Sequence, residues 1–402
     1  MHFNDDSSTV PGCGNSSPAH LARGQRESAL RRSAQIDMSS VRLDNLGTEH
    51  RELLPIAPAP RDTARETRPS SFHPPHGIAV PASELPVFFF HGVTGNATNG
   101  RNIKANLTAE GRVFVGLNFC EAECSTQSVT AQIPMAIAQI RSIVQKDSRF
   151  DNGYHFVGHS QGGGLARAVV ENMNDHKVHS LVSLAGVQNG MFYGPQPEDL
   201  VPLQVMINVL GPSLLTKDIM DFSSYSKADW RGKLQRDLSA LGADQTLQAK
   251  YSLMNMARPP VKNYFVEKNQ YLPSLNNINQ CAWYDVGCHY TKFRHKRNFL
   301  RLQAAYFFAS PHDGVVGPWQ HSLLGHYSEV DSLEEIETTF EELAVVDMES
   351  TVEYQQDTYG LRITVPGVSH NCWLADGMRF DAPNKLCEWQ PIWDEFVYPA
   401  LQ

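Results

Sequence analysis

The chain has 402 residues, of which 41% are hydrophobic and 19% charged, enough apolar material for a large buried core. Its net charge of −9 excludes a general nucleic-acid binder. A membrane span needs about 18 apolar residues in a row. The nearest stretch, Leu200 to Leu215, is interrupted by Gln204, Asn208, Gly211 and Pro212.

Residues 1–83 contain no lysine, are rich in Ser, Pro, Arg and His, and show no sustained apolar period. Such a composition predicts a disordered N-terminal extension ahead of a folded domain at 84–402. The extension lacks the charged start, apolar centre and small-residue cleavage site of a secretory signal peptide. From residue 84 onward, strand and helix patterns alternate, as in a parallel sheet with crossover helices.

Pro86 to Phe90, "PVFFF", is an apolar strand that runs into the polar loop "HGVTGN". Val113 to Leu117 is the next strand, and Ala131 to Val144 a helix with Ile133, Ile137, Ile140 and Val144 on one side. Then comes "YHFVGHSQGGGLARAVVENM", in which a strand ending near Gly158 gives way to a helix carrying Leu165, Val169 and Met173 at helical spacing. Glycines on both sides of Ser160 permit the sharp strand-to-helix turn that lifts a serine Oγ clear of the backbone. Ser160 is therefore the candidate nucleophile. An acyl-transfer site also needs N–H groups aimed at the developing oxyanion, which nominates the backbone of Val93, in "HGVTGN", and of Gln161.

Val178 to Ala185 is a further strand, and more than a hundred residues separate it from the next. That is too long for a plain crossover and predicts a helical cap over the site at about 188–298. Within it, "LVPLQVMINVLGPSLL" is apolar on all sides and fits a helix buried between cap and sheet, or a wall for an alkyl chain. The basic stretch "YTKFRHKRNFL" precedes its strand and reads as a solvated basic face.

Phe299 to Ala309 leads into "SPHDGVVGPWQ", placing Asp313 just past a strand, and Leu361 to Val365 leads into "PGVSHNCW", placing His370 likewise. Ser160, Asp313 and His370 thus fall each after a predicted strand, in the chain order of an α/β-hydrolase, as nucleophile, orienting acid and base. Glu329 and Asp331 are the lesser alternatives for the acid, and His321 and His326 for the base. No cofactor or metal is called for by this chemistry.

Six of the seven cysteines fall in close pairs, Cys120 with Cys124, Cys281 with Cys288 and Cys372 with Cys387, leaving Cys13 alone. This spacing suggests three local disulfides, and with the sequons at Asn96 and Asn106 it points to an oxidising, glycosylating compartment.

The segments "LPVFFFHGVTGN", "HFVGHSQGGGLARAVVE", "SLVSLAGVQNGMFYG", "NFLRLQAAYFFASPHDGVVGPWQHSLLGHYS", "STVEYQQDTYGLR" and "VPGVSHNCWL" resemble, in order, the palmitoyl-protein thioesterases. "DGVVGPWQHSLLGHYS" and "GVSHNCW" are more similar to the second, lysosomal acyl-thioesterase type. The resemblance implies an α/β-hydrolase fold and hydrolysis of long-chain fatty acyl thioesters, palmitoyl-CoA or S-palmitoylated substrates, in the lysosome or secretory pathway. Under it, Ser160, His370 and Asp313 form the triad, with Val93 and Gln161 donating to the oxyanion. Triad chemistry alone would equally serve a lipase or carboxylesterase acting on oxygen esters. A lipid-binding protein on the same fold that has lost turnover is the non-catalytic alternative.

Overall fold

The computed structural model describes residues 80–346, 360–379, 382 and 384–402. Cys13 and residues 1–79 of the expected extension lie outside them. Among the described residues the main sheet has six strands: β1 (Val87–Phe90), β2 (Phe114–Gly116), β3 (Tyr154–His159), β4 (Val178–Leu184), β5 (Ala304–Ala309) and β6 (Gly360–Thr364). They lie in the order β2-β1-β3-β4-β5-β6, and every pairing is parallel.

Strand residues alternate between the two faces of this sheet, and both faces are buried. Phe88, Phe90, Phe156, Leu181 and Phe307 enter one core, while Val87, Phe89, Val157, Val182 and Phe308 enter the other. That is why β1 is apolar without a break: a parallel sheet covered by helices has no solvent face. The first core is closed by α2 (Val129–Val144) and α3 (Gln161–Asn172), through Ala136, Ile140, Leu165 and Val169. The second is closed by α1 (Arg101–Ala109) and the C-terminal segment, through Ile103, Leu107, Trp389, Trp393 and Leu401.

β1 has β2 on one side and β3 on the other, so the order of strands reverses there. A reversal of this kind marks the place, at the carboxyl ends of the strands, where ligands meet such sheets.

Two expected elements differ in detail. The run from Phe299 to Ala309 is not one strand: Phe299 closes helix α4 (Val286–Phe299), and β5 begins only at Ala304. The helix extends that far because Asn298 is buried beside α3, donating to the Glu171 carbonyl (2.9 Å) and to Asn174 Oδ1 (2.8 Å). Residues Leu200 to Leu214 form three consecutive helical segments. They are not apolar all round, since Asn208, Pro212 and Ser213 face solvent while Met206, Leu210 and Leu214 are buried.

All three expected cysteine pairs are bridged: Cys120–Cys124, Cys281–Cys288 and Cys372–Cys387. No helix among the described residues is long and apolar enough to cross a membrane.

Four buried histidines make stability depend on pH. Burial pushes the imidazoles of His155 and His159 down to about 3, and those of His176 and His295 to about 4. Between those values and the ordinary 6.5 the unfolded chain binds protons that the folded chain refuses, so stability is lost as pH falls. Asp199, whose buried carboxyl is raised to about 7, works in the opposite direction, but it is one group against four. Stability should therefore fall by up to about 1.4 kcal/mol per pH unit for each histidine as pH is lowered from about 6.5 to 4, and the unfolding temperature should fall with it. A flat or rising profile in calorimetry would contradict this.

Candidate active site

Ser160 stands between the last residue of β3 and the first of α3, with φ 57° and ψ −128°, a backbone conformation that costs energy for any residue but glycine. Its flanking glycines explain how the turn is tolerated. A Cβ on Gly158 would lie 2.4 Å from the Gly162 carbonyl oxygen, and one on Gly162 would lie 2.4 Å from that of Phe90. Only glycine lets α3 start this close to β1 and β3. The loop after β1 also comes against the serine, since a Cβ on Gly92 would stand 3.5 Å from Ser160 Oγ.

Asp313 and His370, 57 residues apart, meet in the loops after β5 and β6. Nδ1 of His370 lies 2.9 Å from Asp313 Oδ1 and 3.0 Å from Oδ2, and the His370 N–H donates to the Asp313 carbonyl (2.8 Å). Asp313 Oδ1 also accepts from the N–H groups of Val315 (3.0 Å) and Val316 (2.8 Å), which fixes the carboxylate. Both side chains are buried.

His159 ties this pair to the serine turn. Its Nε2 is 2.8 Å from the His370 carbonyl oxygen and its ring centroid 4.7 Å from that of His370. A carbonyl accepts only, so Nε2 carries the proton, and burial keeps the ring neutral. His159 was not singled out from the sequence, although its position directly before Ser160 was the available signal. No hydrogen bond joins Ser160 Oγ to His370 Nε2; such contacts often tighten only when substrate is bound.

Backbone N–H groups of Val93 and Gln161 make no hydrogen bond among the described residues, and both stand on the segments that converge on Ser160. One buried residue braces both segments. Ser125 Oγ accepts from the N–H of Thr94 (2.6 Å), which adopts φ 57°, and donates to the Ala122 carbonyl (2.6 Å). The Ser125 carbonyl accepts from Gln161 Nε2 (2.8 Å) and Gln132 Nε2 (3.0 Å). Ser125 follows the Cys120–Cys124 bridge, and the Ala122 N–H donates to the Gly95 carbonyl (2.8 Å), so the bridged turn is bound to the "HGVTGN" loop. No sequence signal marks Ser125, because its partners on the two site segments, Thr94 and Gln161, lie 31 and 36 residues away.

The alternative acids and bases are elsewhere. Asp331 pairs with Lys262 at the surface (2.7 Å), and Glu329 is exposed. His321 Nδ1 bonds the Gly190 carbonyl (3.0 Å) and His326 Nδ1 the Tyr327 carbonyl (2.7 Å). No group of three or more metal-ligating side chains occurs among the described residues.

A small apolar cleft is lined by Met191, Met206, Leu238, Leu253, Met254 and neighbouring residues. Ser160 is not in its lining. The two are linked through Val187, whose N–H donates to the Ser160 carbonyl (3.1 Å) and whose side chain clusters with Met191, Met256 and Val316.

The sequence pattern described as palmitoyl protein thioesterase matches residues 86–364. Lysosomal thioesterase PPT2-B of Xenopus laevis is 27% identical over 233 residues, which is 55% of this chain and 64% of that protein, less than two thirds of its length. Lysosomal thioesterase PPT2 of Rattus norvegicus is 23% identical over 347 residues, 82% of this chain and 90% of that protein. Palmitoyl-protein thioesterase 3 of Dictyostelium discoideum is 22% identical over 286 residues, 71% of this chain and 81% of that protein. Among solved structures, carboxyl esterase 2 of Tuber melanosporum is 13% identical with a TM-score of 0.38, covering 80% of this chain and 79% of its own. The match to the family pattern spans most of the chain and includes the strand before Ser160, the serine turn and Asp313; the chain belongs to the palmitoyl protein thioesterase family, thioester hydrolases built on the α/β-hydrolase fold.

Proposed function

We propose that the protein cleaves long-chain fatty acyl thioesters through Ser160, His370 and Asp313. The observation that carries this reading is the Asp313–His370 pair, held against the serine turn by His159. In the first half-reaction Ser160 Oγ attacks the thioester carbonyl carbon and His370 Nε2 takes its proton. The N–H groups of Val93 and Gln161 receive the oxyanion. Collapse of the intermediate breaks the carbon–sulfur bond, and the thiol leaves with the proton from His370. Water, activated by the same histidine, then frees the fatty acid. Asp313 holds the Nδ1–H tautomer throughout.

The insertion after β4 acts as the cap, and its apolar cleft takes the acyl chain. Each buried CH2 contributes about 0.8 kcal/mol, so longer chains bind more tightly until the cleft is filled. The names of the relatives, the three disulfides and the sequons at Asn96 and Asn106 support a lysosomal or secretory location.

The test is hydrolysis of an acyl-CoA chain-length panel, an S-palmitoylated peptide and a matched oxygen ester, with fluorophosphonate labelling of Ser160. Turnover rising toward long acyl thioesters is the expected result. Preference for the oxygen ester, or absence of labelling, would overturn the reading.

Two further outcomes follow from the bracing of the site. Ser125→Ala removes the acceptor of the Thr94 N–H and should lower kcat by roughly ten- to a hundredfold with KM little changed, the effect of a displacement of about 1 Å. Equal losses in kcat and in fluorophosphonate labelling rate would accord with this; unchanged kinetics would remove Ser125 from the site. Cys372 lies in the turn His370–Trp373, so its bridge to Cys387 clamps the histidine loop. Cys372→Ser should cost about 3 kcal/mol of stability. It should lower turnover more than acyl-substrate binding. Intact turnover after loss of the bridge, checked by non-reducing peptide mapping, would refute the clamp.

A further inference from the structure

The segment from Cys281 to Phe293 presents its aromatic residues to solvent. Trp283 is 89% exposed, Tyr284 70%, Val286 77%, Tyr290 57% and Phe293 61%. On α4, Val286, Tyr290, Phe293 and Arg297 recur at spacings of four, three and four residues, a single stripe along the helix. The opposite side, with His295, Asn298 and Phe299, is buried. This departs from the usual amphipathic helix: His295 and Asn298 are buried beside Phe299 while the apolar stripe faces water. A contiguous exposed apolar face of this kind marks an interaction surface.

Its composition decides the partner. Between Cys281 and Arg301 there are five Lys and Arg residues against one acidic residue, Asp285, in a chain whose net charge is −9. Asp285 is occupied as the cap of α4, accepting from the Cys288 N–H (2.9 Å). Arg297 is exposed, with its guanidinium 6.0 Å from the Phe293 ring centroid. Trp and Tyr beside cationic side chains are suited to the boundary between headgroups and acyl chains, and the positive charge selects anionic headgroups. The Cys281–Cys288 bridge and the edge-to-face contact of Trp283 with Tyr284 (5.5 Å) hold the loop in shape, so little ordering is needed on binding.

Its position suits such a role. The C-terminal ends of α3 and α4 lie side by side, where Asn172 Oδ1 is 3.2 Å from His295 Nε2 and Asn298 donates to the Glu171 carbonyl (2.9 Å). Only residues 300–303 separate α4 from β5, so the helix runs back against the strand direction. Its N-terminal end, with Trp283 and Tyr284, is therefore at the end of the sheet that carries Ser160, Asp313 and His370.

We propose that the exposed face formed by Trp283, Tyr284, Val286, Tyr290 and Phe293 docks the protein on membranes that contain anionic phospholipid. The N-terminal end of this face lies at the catalytic end of the sheet, and docking does not require that the catalytic reading be correct.

The full chain is tested by co-sedimentation with vesicles of phosphatidylcholine alone and of phosphatidylcholine with phosphatidylserine. Binding to the second vesicles, weakened by salt, is expected. The double variant Trp283→Ser, Phe293→Ser should lose about tenfold or more in vesicle affinity, with wild-type unfolding temperature, because both side chains are exposed in the free protein. Arg297→Gln should weaken binding only where phosphatidylserine is present. Hydrolysis of a water-soluble short-chain thioester should be unchanged by these substitutions, which separates loss of docking from loss of chemistry. The proposal is overturned if the wild-type chain does not bind the anionic vesicles, or if the double variant binds them as well as wild type. It is also overturned if the face is covered in solution by a second copy, seen as a dimer that the double variant converts to monomer.

Discussion

Ser160→Ala should abolish turnover, with a loss in kcat on the order of 10⁶-fold, and should leave the fold unchanged. Oγ is the attacking atom in the proposed mechanism, and no water can replace it at the same place with the same orientation. Stability should stay within about 0.5 kcal/mol of wild type. The reason is local: Ser160 Oγ makes no hydrogen bond among the described residues, and alanine meets the same φ of 57° with the same strain. The backbone bonds of the turn, from Ser160 N–H to the Leu184 carbonyl (3.1 Å) and from Gly163 N–H to the Ser160 carbonyl (2.9 Å), need no side chain. Steady-state kinetics, fluorophosphonate labelling and thermal unfolding of the same preparation test the three parts together. More than a few per cent of activity in a stably folded variant would remove Ser160 from the role of nucleophile.

Asp313→Asn should cost about 10⁴-fold in kcat for a different reason. Asp313 Oδ1 accepts from two backbone N–H groups, Val315 and Val316, while His370 Nδ1 faces both carboxylate oxygens. In asparagine the amide oxygen must keep the two backbone donors, which turns the NH2 group toward His370 Nδ1. The imidazole then holds its proton on Nε2 and cannot accept one from Ser160. Packing is unchanged in volume, so the variant should fold. Its loss should be mainly in kcat, since substrate does not contact Asp313 in this mechanism. If Asp313→Asn stayed active while Asp331 or Glu329 proved essential, the acid would be misassigned.

Sequence alone determined those features whose physics is local. Glycines around Ser160 announce the strained turn because only they allow the 2.4 Å approaches that the helix start requires. The unbroken "VFFF" announces a strand buried on both faces, and three short cysteine spacings announce three bridges. Asp313 and His370 were legible because each follows a strand, and parallel strands deliver such residues to one edge of the sheet. Tertiary structure decided what depends on neighbours distant in the chain. Strand order, and with it the reversal at β1, follows from pairing choices that periodicity does not encode. The brace at Ser125 and the tie from His159 to His370 span 31 to 211 residues, with no composition or spacing to betray them. Helix α4 shows the limit most directly: its stretch reads as a solvated basic face, but His295 and Asn298 are buried against Asn172 and Glu171 of α3, and it is Tyr290 and Phe293 that face water beside Arg297. Hydrophobicity ranks residues by their average surroundings, whereas burial is set by which partners the fold brings within hydrogen-bond reach.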